Sequence, residues 1–257
     1  IFKIATGTYG NITLTANWTA NTNTAYQVCH YTKDLGATTY TLNGNACESK
    51  TGTSDASLTL ANLKKTITGF TYSEGFADTA AKGTTKPASG AVTTSTILAN
   101  GTRVISLYYS RDTHTVTLTK GTGIATVSGD GTYEYGATVT LGATMSNGYD
   151  WSKWTQTSGG TQVSTTKAYS FTMGTSNIAY TANATVHSYT ITYDLNDVSA
   201  SVNPTHGTTH PATYKITDST ITISDPTMAG YTFTGWTITT APTAWGTGSS
   251  ETGSKRS

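Results

Sequence analysis

Hydrophobic and polar residues alternate along most of this chain, which predicts a succession of short β-strands. Ile12, Leu14, Ala16 and Trp18 alternate with Asn11, Thr13, Thr15 and Asn17. Val139, Leu141, Ala143 and Met145 alternate in the same way, as do Tyr169, Phe171 and Met173. In Gly230-Tyr231-Thr232-Phe233-Thr234-Gly235-Trp236 the aromatics fall on one strand face and the threonines on the other. That stretch is echoed by Gly148-Tyr149-Asp150-Trp151-Ser152-Lys153-Trp154 and, more loosely, by the run opening at Gly69-Phe70. A glycine at each entry suits a bend or a close backbone approach. One copy alone reads as a buried strand and turn; three copies predict an array of modules.

The predicted boundaries follow from where strands open and close. Residues 1–20 read as a closing strand with no module in front of it. Module one spans 21–112, opening at Tyr26–Tyr31 and ending with Val104–Tyr109. It contains Asn43-Gly44, a hairpin-turn signal. Leu58, Leu60 and Leu63 fit either a strand or a single helical turn, and 77–96 reads as a surface loop. Module two spans 113–186 and is the cleanest run of strands. Module three, 187–257, opens at Tyr189–Leu195 and carries the Gly230–Trp236 stretch, then passes into Gly/Ser/Thr-rich sequence without a closing strand. The joints between modules are only a few residues long, which restricts the angle between neighbours.

Module three thus lacks the element that residues 1–20 supply. A sheet missing a strand exposes unpaired N–H and C=O groups and an open core. Three explanations stand: a window on a longer tandem polypeptide, a subunit whose first strand completes its neighbour's last module head to tail, or frayed ends. Lys255-Arg256 fits a processing site in the second case and plain solubility otherwise.

Composition sharpens the β reading. Charged residues are 11% of the chain and threonine is roughly a quarter of it, a bias toward β-branched residues. Sixteen Tyr and five Trp predict an aromatic, β-branched core. A net charge of +1 gives no nucleic-acid footprint. No apolar run reaches the length of a membrane helix. The chain starts without Met, which predicts a longer precursor. Cys29 and Cys47 read as a disulfide across neighbouring strands, closing a loop of about 17 residues and stabilising by roughly 3 kcal/mol; the alternative is a pair of inert buried thiols.

These residues resemble tandem internalin-type B-repeats. The likeness rests on Tyr189–Asp194, on Gly230, Tyr231, Phe233 and Trp236, and on the separated stretch Ile12–Trp18. Module two resembles the divergent form of that repeat through 114–120, Gly148, Tyr149 and Trp154, and 177–184. Module one is similar to the mucin-binding-protein type of repeat through Tyr26–Tyr31, Tyr40–Leu42, Gly69 and Phe70, and Leu107–Arg111. The resemblance implies a mostly β chain of small β-grasp-like domains in an elongated array, with very little helix. It implies a secreted bacterial surface protein whose partners are copies of itself or adjacent repeats, and it carries over no catalytic residue.

Other chemistry is weaker. His206-Gly-Thr-Thr-His210 has two-His metal spacing but no following Glu, and Pro204 and Pro211 argue against a helix, so a surface loop pair is favoured. Asp194, Asn196 and Asp197 lack calcium-loop spacing and read as a capped turn. Lys3, Lys33 and Lys215 are formal candidates for interstrand crosslinks. Asn11, Asn17, Asn100 and Asn183 lie in Asn-x-Thr sequons, read here as strand-edge pairs. Tyr108, Tyr109 and Trp245 are the aromatics nominated for stacking on glycans, the alternative function. No cofactor, metal or enzyme constellation is expected.

Overall fold

The computed structural model describes residues 1–197 and 201–244. Trp245, Lys255 and Arg256 lie outside the described residues. The described chain is mostly β, in several small sheets.

Module one contains β1 (Thr24–Lys33), β2 (Tyr40–Leu42), β3 (Glu48–Gly52), β4 (Ser57–Thr59), β5 (Phe70–Asp78), β6 (Thr94–Thr96) and β7 (Arg103–Arg111). Its sheet runs β2-β1-β7-β5, with β3 also on β1. First and last strands pair in parallel, Tyr26 opposite Arg103 through Thr32 opposite Tyr109. A parallel pair of this kind is usually covered on both faces, and so it is here. Tyr26, Val28, Ile105, Leu107 and Tyr109 face one core, with Leu60 and Ile97 packed on them. Cys29, Tyr31, Val104 and Tyr108 face the other, with Tyr40 and Phe76.

Both readings of the leucine run prove right in part: Leu58 lies in β4, and Leu60–Leu63 forms a 3-10 turn whose Leu60 is buried. The Asn43-Gly44 signal does not make a hairpin. β2 and β3 do not pair with each other; both pair antiparallel with β1, toward its opposite ends. The chain makes an excursion at 43–47 and returns to the same edge, so the turn residues interrupt one partner strand. Tyr108 and Tyr109 are fully buried, which corrects their nomination as glycan-stacking residues. Tyr108 stacks on Tyr31 at 5.0 Å, meets Tyr40 and Phe76 edge-on, and donates its hydroxyl to the Gly83 carbonyl at 2.8 Å. Burial, followed by the neighbouring Tyr31 and Tyr40, pushes its phenol up to about 12.

Cys29 and Cys47 form a disulfide, one step past the Val28–Glu48 pair of β1 and β3. His30, beside it in sequence, is buried too and shares a hydrogen bond with the Tyr109 hydroxyl at 2.9 Å. Burial first, then Lys65 and Lys50, holds its imidazole down at about 4.

Module two contains β8 (Thr113–Lys120), β9 (Ile124–Ser128), β10 (Gly131–Glu134), β11 (Thr138–Thr140), β12 (Gly142–Met145), β13 (Tyr149–Gln156), β14 (Gln162–Ser164), β15 (Ser170–Thr172) and β16 (Ile178–Val186). Its main sheet runs β10-β8-β16-β13-β14, with two further ribbons, β11-β15 and β12-β9. Trp154 is fully buried and donates its indole N–H to the Lys167 carbonyl at 3.0 Å. Module three has β17 (Ser188–Thr190) and β18 (Thr213–Lys215), which form an antiparallel ribbon.

By compactness the chain divides into two units, one of 1–117, 129–140 and 170–178 and the other of 118–128, 141–169 and 179–257. This division cuts through β8 and β16, so it does not follow the module boundaries read from strand order.

Candidate functional site

The Gly-aromatic stretches share one local geometry. Each is a four-residue turn with glycine third and at positive φ: +77° at Gly69, +78° at Gly148 and +82° at Gly230. That is where a type II turn needs glycine. In each, the aromatic N–H returns to the residue three back: Phe70 to Ile67 at 3.0 Å, Tyr149 to Ser146 at 3.2 Å, Tyr231 to Met228 at 3.1 Å. The turns launch β5 and β13, which pair antiparallel with the closing strands, Phe70 opposite Arg111 and Tyr149 opposite Val186.

Around the first turn is a joint built wholly within the first compact unit. The Gly69 carbonyl accepts the Asp112 N–H at 3.0 Å, and the Asp112 carbonyl accepts the Tyr135 N–H at 2.8 Å. The Tyr135 ring lies against Gly69 so closely that a Cβ there would come within 2.1 Å of it. Arg111 binds this corner together. Its guanidinium gives N–H groups to the Lys33 carbonyl at 2.9 and 3.2 Å and to the Tyr135 carbonyl at 2.8 Å, and lies 4.7 Å from the Phe70 ring. Glu134 accepts from Lys33 Nζ at 2.7 Å and from the Gly36 N–H at 2.9 Å. Those two contacts, Lys33 first, hold its carboxyl below the usual carboxylate range.

The second turn repeats the arrangement within the second unit. The Gly148 carbonyl accepts the His187 N–H at 2.9 Å, and a Cβ on Gly148 would lie 2.8 Å from Ile216. His187 also contacts Asp150 at 2.6 Å and Tyr189 ring to ring at 4.6 Å. Tyr135 and Ile216 hold the same structural place. Thr113 opposes Glu134 in β8/β10, and Ser188 opposes Lys215 in β17/β18; each contact residue comes next after that pair. Asp112 and His187 each stand alone between a closing strand and an opening one.

Sequence reasoning found the glycines and their aromatics but not the residues that seat against them. Counting from each opening strand to its hairpin partner would have located Tyr135 and Ile216. Periodicity could not, because the two side chains differ in chemistry.

The third turn is different in surroundings, not in form. Tyr231 is 54% exposed, and 232–236 form no strand among the described residues. Trp236 packs beside Tyr193 at 5.6 Å and Phe233 at 5.3 Å, and its buried indole nitrogen has no hydrogen-bond partner. No described residue beyond Ala182 is a buried apolar one. Ile12, Leu14, Ala16 and Trp18 are likewise outside any strand and exposed, Trp18 at 91%. Their alternation does not become a strand within the chain because no described strand lies alongside to pair with them.

Residues 114–186 match the family model for the divergent InlB B-repeat domain. The matched segment, a little over a quarter of the chain, takes in almost all of module two, and B-repeat domains are modules of bacterial surface proteins. No curated protein and no solved structure matches the chain. The mucin-binding likeness of module one has no matching family model.

The remaining candidates are placed as follows. His206 and His210 stack face to face at 4.6 Å, and His210 Nδ1 meets the Gly207 carbonyl at 2.7 Å. Among the described residues no three His, Cys, Asp or Glu converge as metal ligands. The Asn196 N–H donates to Asp194 at 2.9 Å, a capped turn. Lys33 is ion-paired with Glu134, whereas Lys3 and Lys215 are exposed. Asn183 reaches Lys153 and Thr155 of β13 from β16.

Proposed function

We propose that this chain is a structural segment of an extracellular bacterial surface stalk or filament, non-enzymatic, in which B-repeat-type modules are joined head to tail. The joint seen twice carries the reading. A closing strand, one connecting residue and an opening hairpin lock onto the preceding Gly-aromatic turn, at Gly69 and again at Gly148. Such corners suit an element whose work is reach and load rather than catalysis. The segment Ile12–Trp18 and the unpaired stretch after Gly230 are complementary halves of one more module, supplied by a neighbour. The glycan-binding alternative is weakened by the burial of Tyr108 and Tyr109.

The test is light scattering of the full chain across concentration, beside a variant lacking residues 1–20. Those residues are exposed throughout, so circular dichroism should be unchanged by the deletion. Mass should rise with concentration for the full chain and stay at one copy for the variant. Equal behaviour of the two would sink the proposal.

A further inference from the structure

The internal repeats define which residues meet when a neighbour closes module three. This inference rests on the head-to-tail reading above and adds the register. Ile12-Thr13-Leu14-Thr15-Ala16-Asn17-Trp18-Thr19 aligns without gaps on Ile178-Ala179-Tyr180-Thr181-Ala182-Asn183-Ala184-Thr185 of β16, with Ile, Thr, Ala, Asn and Thr identical. Gly230–Trp236 aligns equally on Gly148–Trp154, with Gly, Tyr and Trp at matching places. In module two those segments are antiparallel partners: Tyr149 opposite Val186, Trp151 opposite Ala184, and, past a bulge, Lys153 opposite Asn183 and Trp154 opposite Ala182.

We infer that residues 12–20 of a second copy of this chain pair antiparallel with 231–236 in the corresponding register. Tyr231 then opposes Ala20, Phe233 opposes Trp18, Gly235 opposes Asn17 and Trp236 opposes Ala16. The pairing is physically coherent. A small Ala16 meets the large Trp236, as Ala182 meets the buried Trp154. Phe233 and Trp18 form an aromatic cross-strand pair, an arrangement that stabilises antiparallel sheets. Asn17 takes the position of Asn183, whose amide reaches across to the Lys153 carbonyl at 3.3 Å. The exposed Ile12, Leu14 and Trp18 gain a sheet to lie on.

The connecting residue fits as well. The Asn21 carbonyl accepts the Ser54 N–H at 2.8 Å, as the Asp112 carbonyl accepts the Tyr135 N–H at 2.8 Å. Asn21 therefore already stands to module one as Asp112 stands to module two. Its own N–H is assigned to the Gly230 carbonyl, as Asp112 gives to Gly69 and His187 to Gly148. The head-to-tail contact is thus the same joint a third time, made between chains.

Full-length single-cysteine variants test the register. Cys29 and Cys47 are already bonded to each other. Ala20→Cys and Tyr231→Cys chains are mixed and oxidised, and likewise Trp18→Cys with Phe233→Cys, because truncating an aromatic could weaken one contact. The out-of-register mixture is Ala20→Cys with Phe233→Cys. Directly opposed residues come within disulfide reach, and diagonal ones do not. The expected result is a reducible covalent dimer several-fold more abundant in at least one opposed mixture than in the diagonal one. Association by light scattering with the diagonal dimer equal or dominant overturns the register and leaves the head-to-tail reading standing. No association of the unmodified chain and no crosslink in any mixture overturns both.

Discussion

Glycines 69 and 90 make a controlled pair at the residue scale. Both sit at positive φ, +77° and +87°, so alanine strains the backbone at either. Only at Gly69 would the new Cβ also strike the Tyr135 ring; at Gly90 there is open space. Gly69→Ala should therefore cost roughly 1–3 kcal/mol and Gly90→Ala less, by urea denaturation. Tyr135→Ala should recover part of the first loss and none of the second. Equal costs would show that Gly69 serves its own turn and not the joint.

His30 is the other residue with a measurable signature. Its ring is kept neutral in the fold, titrating at about 4 against an ordinary 6.5, chiefly by burial. Between those values the unfolded chain binds the extra proton, so stability falls as pH is lowered through that window. Carboxylates held low, such as Asp34, Asp78 and Glu134, lose their contribution only below it. His30→Asn should flatten the dependence of the urea midpoint between pH 6.5 and 4.5. An unchanged slope would remove His30 from the account.

Elements were legible to the extent that one face of a strand is wet. The alternation of Val139, Leu141 and Ala143 or of Tyr149 and Trp151 marked real strands. β7 was harder, since its six residues Val104–Tyr109 are all buried and show no period of two. The Asn43-Gly44 signal misled because a local turn preference does not say which strands it joins; β1 takes both flanking pieces. The joints were invisible to periodicity, being made by backbone groups of Gly69 and Asp112 and by two unlike side chains. Cys29–Cys47 was readable, and it staples β3 to β1. Reducing it should destabilise module one by roughly 3 kcal/mol, seen as a shift in denaturant midpoint. A module indifferent to reductant would mean that β3 adds little to the sheet.

At the scale of the whole molecule, β1 and β7 run side by side in the same direction, and the chain enters module one through β1 and leaves through β7. Entry and exit therefore lie at opposite ends of that strand pair. Tension applied to the two ends slides one strand along the other. The seven paired positions from Tyr26/Arg103 to Thr32/Tyr109 must then give way together instead of peeling open one by one. A module wired this way resists stretching like a lapped seam, and hydrodynamic drag on a cell-surface fibre would be borne across the middle of its sheet.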